Sequence, residues 1–396
     1  MKDEGNVILE IDLLNLYRDF LLPLTPNKAV SDLLDVIMTG GETTQDFAGA
    51  VEKDAEISEW VKVSSQRIVK NARSSSTMEY KVSVLGLNRV RNMLVGRHIE
   101  RAIVPENKTL LALMIQEREK NKDPSKKPKD ASATAPEEEE QKSIPDFLAF
   151  EKYLPYSIRA ERAAIELKYS FPGQGFAAGV LFDYVRAFLA NLDIEAKVQE
   201  QRFKKPERFV EELFVDGLRC AIAANEISNF VQIRYQKNIF FSSIVRNIGK
   251  ALLLAYDPEG YERVGATYRE AVKAGVPIKS YEAEEDEFDL DHAQVTALYI
   301  GRVPCFRGLE KSIDYHHNPR LLKSRDREQY ALSSVLRLAG LLVTAYQDRR
   351  LKEMDISRLP DRKIVESEVF QALKLTSVEW EKIKTNYALS LLKLGL

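Results

Sequence analysis

The sequence predicts an all-α protein, and three observations lead there. Val30, Leu33, Leu34 and Ile37 recur at helical spacing, with Gly40-Gly41 behind them as a stop. The same apolar period returns along nearly the whole chain. Near its end, Thr376-Ser-Val-Glu379 is a capping-box pattern ahead of Ile383, Tyr387 and Leu391 on one face. With 396 residues, 44% hydrophobic and 30% charged, the chain can bury a sizeable core in two or three subdomains.

Taken in order, Thr44 is placed to cap a second helix that turns Phe47 and Val51 inward. Ile57, Trp60, Val61 and Val63 suit a third. Val82 to Val95 reads as one strongly apolar helix flanked by Arg89, Arg91 and Arg97. Those arginines read as a solvated face or as local ion pairs. A nucleic-acid patch would carry interleaved aromatics, which are missing. Residues 117–143 hold no large apolar side chain, so burial cannot offset the entropy of ordering them. A mostly disordered linker is expected over 107–145, between an N-terminal helical subdomain (1–106) and an inserted helical block (146–205). A helical subdomain over 206–345 and C-terminal helices over 346–396 complete the chain.

Within the block, Phe171-Pro-Gly-Gln-Gly175 is expected as a helix-to-helix turn; it lacks the serine of a nucleophile elbow. Val180–Leu189 and Ile244–Leu253 share their apolar spacing, as an internal repeat would. That register sets Phe182-Asp183 against Arg246-Asn247.

Composition excludes several classes. Lys+Arg 58 against Asp+Glu 60 gives a net charge of −2, no basis for bulk attraction to nucleic acid or a membrane. No signal-peptide pattern opens the sequence, and no uninterrupted apolar run reaches membrane-spanning length. The two cysteines, Cys220 and Cys305, have no spacing motif and suit core thiols in a reducing compartment. A cytoplasmic protein is expected. No phosphate-cradling Gly-rich motif of the Walker or Rossmann type is found.

Three segments carry a family resemblance: Ile244-Val-Arg-Asn-Ile-Gly-Lys250, Asp291-His-Ala-Gln-Val295 and Tyr315-His-His-Asn-Pro319. Their order resembles the metal-dependent HD phosphohydrolase superfamily, where a helix carries His-Asp before Ile-Gly-Lys and later histidines complete the site. Adding Leu22-Pro-Leu-Thr-Pro26, Lys53-Asp-Ala-Glu-Ile57 and Val82–Leu94, the chain resembles the HDOD family, the HD-related output domains of bacterial signalling proteins. The pieces touch most of residues 18–345. Ser64-Ser65 departs from the family's usual Asn-Ser pair.

The resemblance implies an HD-superfamily-like helical bundle and a role in signal transduction through protein–protein interaction. It also frames the chemistry. At the His-Asp position this chain has Arg246-Asn247. A guanidinium that never deprotonates repels divalent metals, and a carboxamide brings no charge. The first-histidine position falls near Asp216 in one register and near Tyr156 in the other. The four histidines are His98, His292, His316 and His317, so none lies from 99 to 291. The expectation is a pseudoenzyme with no catalytic residue, no metal centre and no cofactor. Its vestigial pocket is expected to comprise Asp216, Arg246, Asn247, His292, His316 and His317, and its partner to be a signalling protein.

Two rivals stay open. A divergent phosphohydrolase or cyclic-dinucleotide phosphodiesterase would draw ligands from Asp183, Asp216 or Asp291 with the three late histidines. A nucleotide sensor would keep the pocket, with Arg246 pairing a phosphate. The late histidines otherwise read as helix-capping and core hydrogen-bonding groups, with Asn318-Pro319 ending a helix at Tyr315. The acidic run Glu282–Asp291 reads as a solvated helix start.

Overall fold

The computed structural model describes residues 20–21, 24–26, 28–68, 76–102, 155–231, 238–276, 278–347 and 362–396. The expected linker over 107–145, and Leu22-Pro23 of the first quoted segment, lie outside the described residues. Among those described, the regular structure is helical and no strand occurs, so the fold is all-α.

The first helix, α1 (Lys28–Thr39), buries Val30, Leu33, Leu34 and Ile37 and stops at Gly40, whose φ is +71°. Two compact units follow from the contacts, residues 1–33 with 43–153 and residues 34–42 with 154–396.

In the first unit, α2 (Thr44–Glu52) and α3 (Ala55–Ile68) bury Phe47, Val51, Ile57, Trp60 and Val61. The cap of α2 is Thr43, one residue earlier than the sequence suggests. Its hydroxyl accepts from the backbone N–H of Asp46, and the Asp46 carboxylate accepts in return from the Thr43 N–H. Val82–Val95 is two helices, α4 (Met78–Leu85) and α5 (Leu87–Ala102). Gly86, with φ +87°, breaks them apart. The flanking arginines divide. Arg97 pairs with Glu56 at 2.6 Å and Glu100 at 2.7 Å, whereas Arg91 is buried.

The second unit opens with α6 (Pro155–Glu166) and α7 (Gly173–Leu189). Gly173 to Gly175 fall inside α7, so the expected turn ends earlier, at Pro172. Next come α8 (Pro206–Ser228), α9 (Ile239–Val245) and α10 (Ile248–Tyr256). The stretch Ile239–Tyr256 is apolar enough to cross a membrane, but 94% of it is buried inside the protein and Arg246-Asn247 interrupts its helix. The supposed repeat therefore differs locally. Phe182-Asp183 sits within one continuous helix, while Arg246-Asn247 is the break between two.

Beyond the break lie α11 (Pro258–Lys273), α12 (Ser280–Phe288), α13 (His292–Gly301) and the short α14 (Glu310–Asp314). Tyr315 caps α14, and Asn318-Pro319 starts a separate 3-10 turn instead of closing that helix. The long α15 (Arg327–Gln347) precedes α16 (Arg362–Val365), α17 (Glu368–Ala372) and α18 (Ser377–Leu394). Thr376 and Glu379 form the expected capping box on α18. Trp380, Ile383, Tyr387 and Leu391 of that helix join one core with Ile222, Ile227, Leu338 and Leu342 from α8 and α15. The C-terminal helix is thus part of the second unit's interior.

Candidate functional site

The break between α9 and α10 puts Arg246 and Asn247 beside α8. Asn247 donates from Nδ2 to Asp216 Oδ2 at 3.0 Å, and Arg246 Nη2 lies 3.6 Å from the same oxygen. Arg246 Nη1 donates to the Leu336 carbonyl of α15 at 3.2 Å. Both Arg246 and Asn247 are only 7% exposed. The three positions that would share a cation in the superfamily frame instead satisfy one another. A guanidinium already fills the cation's electrostatic place, and these residues do not fit a metal.

The other register also forms a contact. Asp183 is fully buried and accepts from the N–H of Ser157 at 3.2 Å, from its hydroxyl at 2.7 Å and from the Tyr156 N–H at 3.4 Å. Arg186 Nη2 lies 3.2 Å away. The two candidate registers therefore give two helix-to-helix carboxylate contacts. The late histidines gather near the Asp216–Arg246–Asn247 contact.

Thr296 ties this region together. Its hydroxyl accepts from the Gly249 N–H at 2.9 Å and lies 2.7 Å from the His292 carbonyl and 3.2 Å from that of Arg246. Helices α10 and α13 approach closely here because residue 249 is glycine; a methyl group would strike the His292 carbonyl.

His292 opens α13, capped by Asp291 with Gln294 in a capping box. Glu284 of α12 accepts from the His292 backbone N–H at 2.9 Å, and the same oxygen lies 2.5 Å from His292 Nδ1. The acidic run is thus not wholly a solvated helix start: Glu284 and its imidazole partner are each 1% exposed. Burial resists ionisation of Glu284, yet the attraction and hydrogen bonds of His292, with Lys250 beyond, hold its carboxyl below the usual range. Burial, followed by neighbouring charges including Lys250 and Arg246, holds His292 low despite the pull of Glu284. His316 is pushed well down, by burial first and then by Arg246 and His292. His317 is lowered by burial and by the other two histidines. Burial thus presses all three imidazoles toward their neutral form.

His317 Nε2 sits 3.0 Å from His292 Nε2; its ring stacks on Tyr281 at 4.2 Å and lies tilted against His316 at 3.9 Å between centroids. His316 Nδ1 lies 2.7 Å from the Ile313 carbonyl. Arg337 of α15 bears on His316, His317 and Arg246 electrostatically, and burial lowers its own proton affinity. A cleft of about 560 Å³ opens beside this cluster, lined by Asp216, Arg219, Asn247, Lys250, Tyr261 and Glu284 among others.

All six sequence-expected pocket residues fall in this part of the second unit. Sequence reasoning missed Glu284, hidden among solvated acidic neighbours, and Thr296 and Arg337, which no local motif marks. Lys250 was visible only as the end of the Ile-Gly-Lys segment.

Residues 161–319 match the HDOD domain. The match takes in residues 161–205, set apart in the sequence reading as part of an inserted block. A similar solved structure is a crystal structure from Shewanella amazonensis SB2B whose phosphohydrolase assignment is provisional. It shares 14% identity at a TM-score of 0.42, over 66% of this chain and 86% of that one. Among curated proteins nothing matches the chain.

Proposed function

We propose that this HD-related signalling domain is non-catalytic and acts as a scaffold or signalling element, binding a partner protein or ligand through its degenerate site. The observation that carries the reading is the closed set Asp216–Arg246–Asn247, with Arg246 also held by the Leu336 carbonyl. A catalytic HD centre needs open coordination positions and neutral or anionic ligands; here the central position holds a fixed cation. The expected setting is bacterial and cytoplasmic. A second reading, nucleotide binding, is favoured by the cleft beside Lys250 and Arg219, a cation pair with phosphate chemistry next to the Tyr261 and Tyr268 rings.

The test is turnover of the full chain against phosphomonoester, phosphodiester and cyclic-dinucleotide substrates with magnesium, manganese or zinc supplied. No turnover is expected, and affinity capture from the native cell should recover a partner that Arg246→Ala loses. Metal-dependent hydrolysis abolished by substituting Asp216 or His292 would overturn the reading. Saturable nucleotide binding without turnover, weakened by Lys250→Gln, would select the second reading.

A further inference from the structure

We propose that the turn leading into α15 is a docking surface for an acidic segment of a partner protein, with Leu321 as the apolar anchor. The surface is separate from the Asp216–Arg246–Asn247 set and does not rest on that degenerate site. The chain as a whole has a net charge of −2, yet residues 302–327 hold seven Arg or Lys side chains against three Asp or Glu. Arg320, Lys323, Arg325 and Arg327 are all exposed, and so is Arg307.

The turn holds these charges on an ordered backbone. Pro319–Leu322 is a 3-10 helix. Leu322, only 4% exposed, anchors it, and its carbonyl accepts from the N–H groups of Arg325 at 3.0 Å and Asp326 at 2.9 Å. Asp326 Oδ1 accepts from the Gln329 N–H at 3.2 Å, at the start of α15. Gln329 donates from Nε2 to the Gly308 carbonyl at 2.9 Å, which brings the chain next to Arg307 against the same helix end. Two of the three carboxylates in this segment thus serve local backbone bonds, Asp326 here and Glu310 at the Gly308 N–H. Among the described residues, Arg307, Lys323, Arg325 and Arg327 enter no ion pair, and Arg320 reaches Glu368 only at 3.7 Å. Like charges held this way repel one another and draw in an opposite charge. The backbone needs no ordering when it arrives.

The chemistry selects the partner. Three of the four cations in the turn are arginines, whose planar forks match carboxylates two bonds at a time. Phosphates would satisfy the same forks. However, residues 319–327 include no aromatic ring on which a nucleic-acid base could stack. A bilayer needs far more apolar burial than one leucine supplies. Leu321 is 52% exposed between Arg320 and Lys323, in contrast to the buried Leu322. An acidic peptide with one apolar side chain uses both features, the ring of cations and the leucine.

The experiment uses the full chain and a fluorescein-labelled probe peptide, Glu-Glu-Leu-Glu-Glu, read by fluorescence anisotropy. Its glutamine counterpart, Gln-Gln-Leu-Gln-Gln, a single-stranded oligonucleotide and phosphatidylglycerol vesicles are titrated beside it. Saturable binding of the acidic peptide is expected, weakened about tenfold or more between about 50 and 500 mM salt, with no binding of the glutamine peptide. Arg320→Glu combined with Lys323→Glu and Arg325→Glu should lower affinity at least about tenfold. Leu321→Ser should lower it several-fold at unchanged salt dependence. Arg208→Glu, an exposed site on α8, should change nothing. Circular dichroism must show native helicity in each variant; Lys323→Gln with Arg325→Gln, a milder pair, serves if the triple reversal misfolds. No saturable binding, or equal binding by the folded charge variants, would overturn the surface. Tighter binding of the oligonucleotide or the vesicles would overturn the choice of a protein partner. Turnover of phosphoester substrates would remove the non-catalytic reading and leave this surface standing.

Discussion

The guanidinium of Arg246 lies against Gly340 of α15: a methyl group built on that glycine would come within 2.5 Å of Arg246 Nη1. The contact explains how a fixed cation fits a helical core. Helix α15 has no side chain at the point where the charge must pass to reach the Leu336 carbonyl and Asp216.

Gly340→Ala should displace that guanidinium and lower stability by about 1–3 kcal/mol, the usual cost of overpacking. In an Arg246→Ala background the same change should be close to neutral, because the clashing group is gone. Urea unfolding of the two single variants and the double variant measures the coupling. Additive losses would show that residue 340 is tight for another reason.

Arg246→Ala should itself lower stability by about 3 kcal/mol, near the low end for breaking a buried pair, since Asp216 keeps Asn247 as a partner. Arg208→Ala supplies the control. Its side chain is 75% exposed and pairs only loosely with Glu212 at 3.5 Å, so its loss should be near zero. Equal midpoints for the two variants would mean that Arg246 contributes no more than a surface arginine.

Asp183 should give the protein a pH-dependent stability. Burial raises its pKa from 3.8 to about 7, against the opposing pull of Arg186 and the hydrogen bonds from Ser157 and Tyr156. Between those values the folded chain keeps a proton that the unfolded chain has released. Stability from this group is therefore full near pH 4, falls by about 1.4 kcal/mol per unit as pH rises, and levels off above 7. Arg186 and the Tyr156 ring are the charged and titratable groups facing it. Thermal unfolding from pH 4 to 8 should show the slope in wild type and lose it in Asp183→Asn. A shared slope would assign the effect elsewhere.

Thr296→Val keeps the shape of the side chain but leaves the Gly249 N–H without its acceptor. The expected loss is about 1–3 kcal/mol. Thr385→Val, which removes an exposed hydroxyl bonded only to the Glu381 carbonyl, should cost little. Similar values for both would deny Thr296 its tying role.

Much of the fold was legible because helix formation leaves a local trace. The period of Val30, Leu33, Leu34 and Ile37 and the box at Thr376 and Glu379 are readable within one or two turns of chain. Boundaries were less so: Gly86 splits Val82–Val95, because only its left-handed backbone shows that the helix must stop and restart. The doublet Arg246-Asn247 and the histidines could be named from residue order. The register could not be chosen that way, since both carboxylates, Asp183 and Asp216, find partners across a helix pair.

By itself, the sequence determined that the chain is helical and that no histidine lies from 99 to 291. Its resemblance to the superfamily set Arg246-Asn247 at one of two candidate His-Asp positions and left the choice between them open. Only the tertiary structure decided what the remaining groups do. Glu284 reads as one solvated carboxylate among several, until α12 and α13 fold together, bury it and set its oxygen 2.5 Å from His292 Nδ1. His292 and His317 are 25 residues apart in sequence and 3.0 Å apart in space. Burial presses their rings toward the neutral form, and contacts with Glu284 at His292 and with the Ile313 carbonyl at the neighbouring His316 orient the imidazoles. Neither effect exists in a chain read one residue at a time, because both depend on removing water and on neighbours brought from other helices.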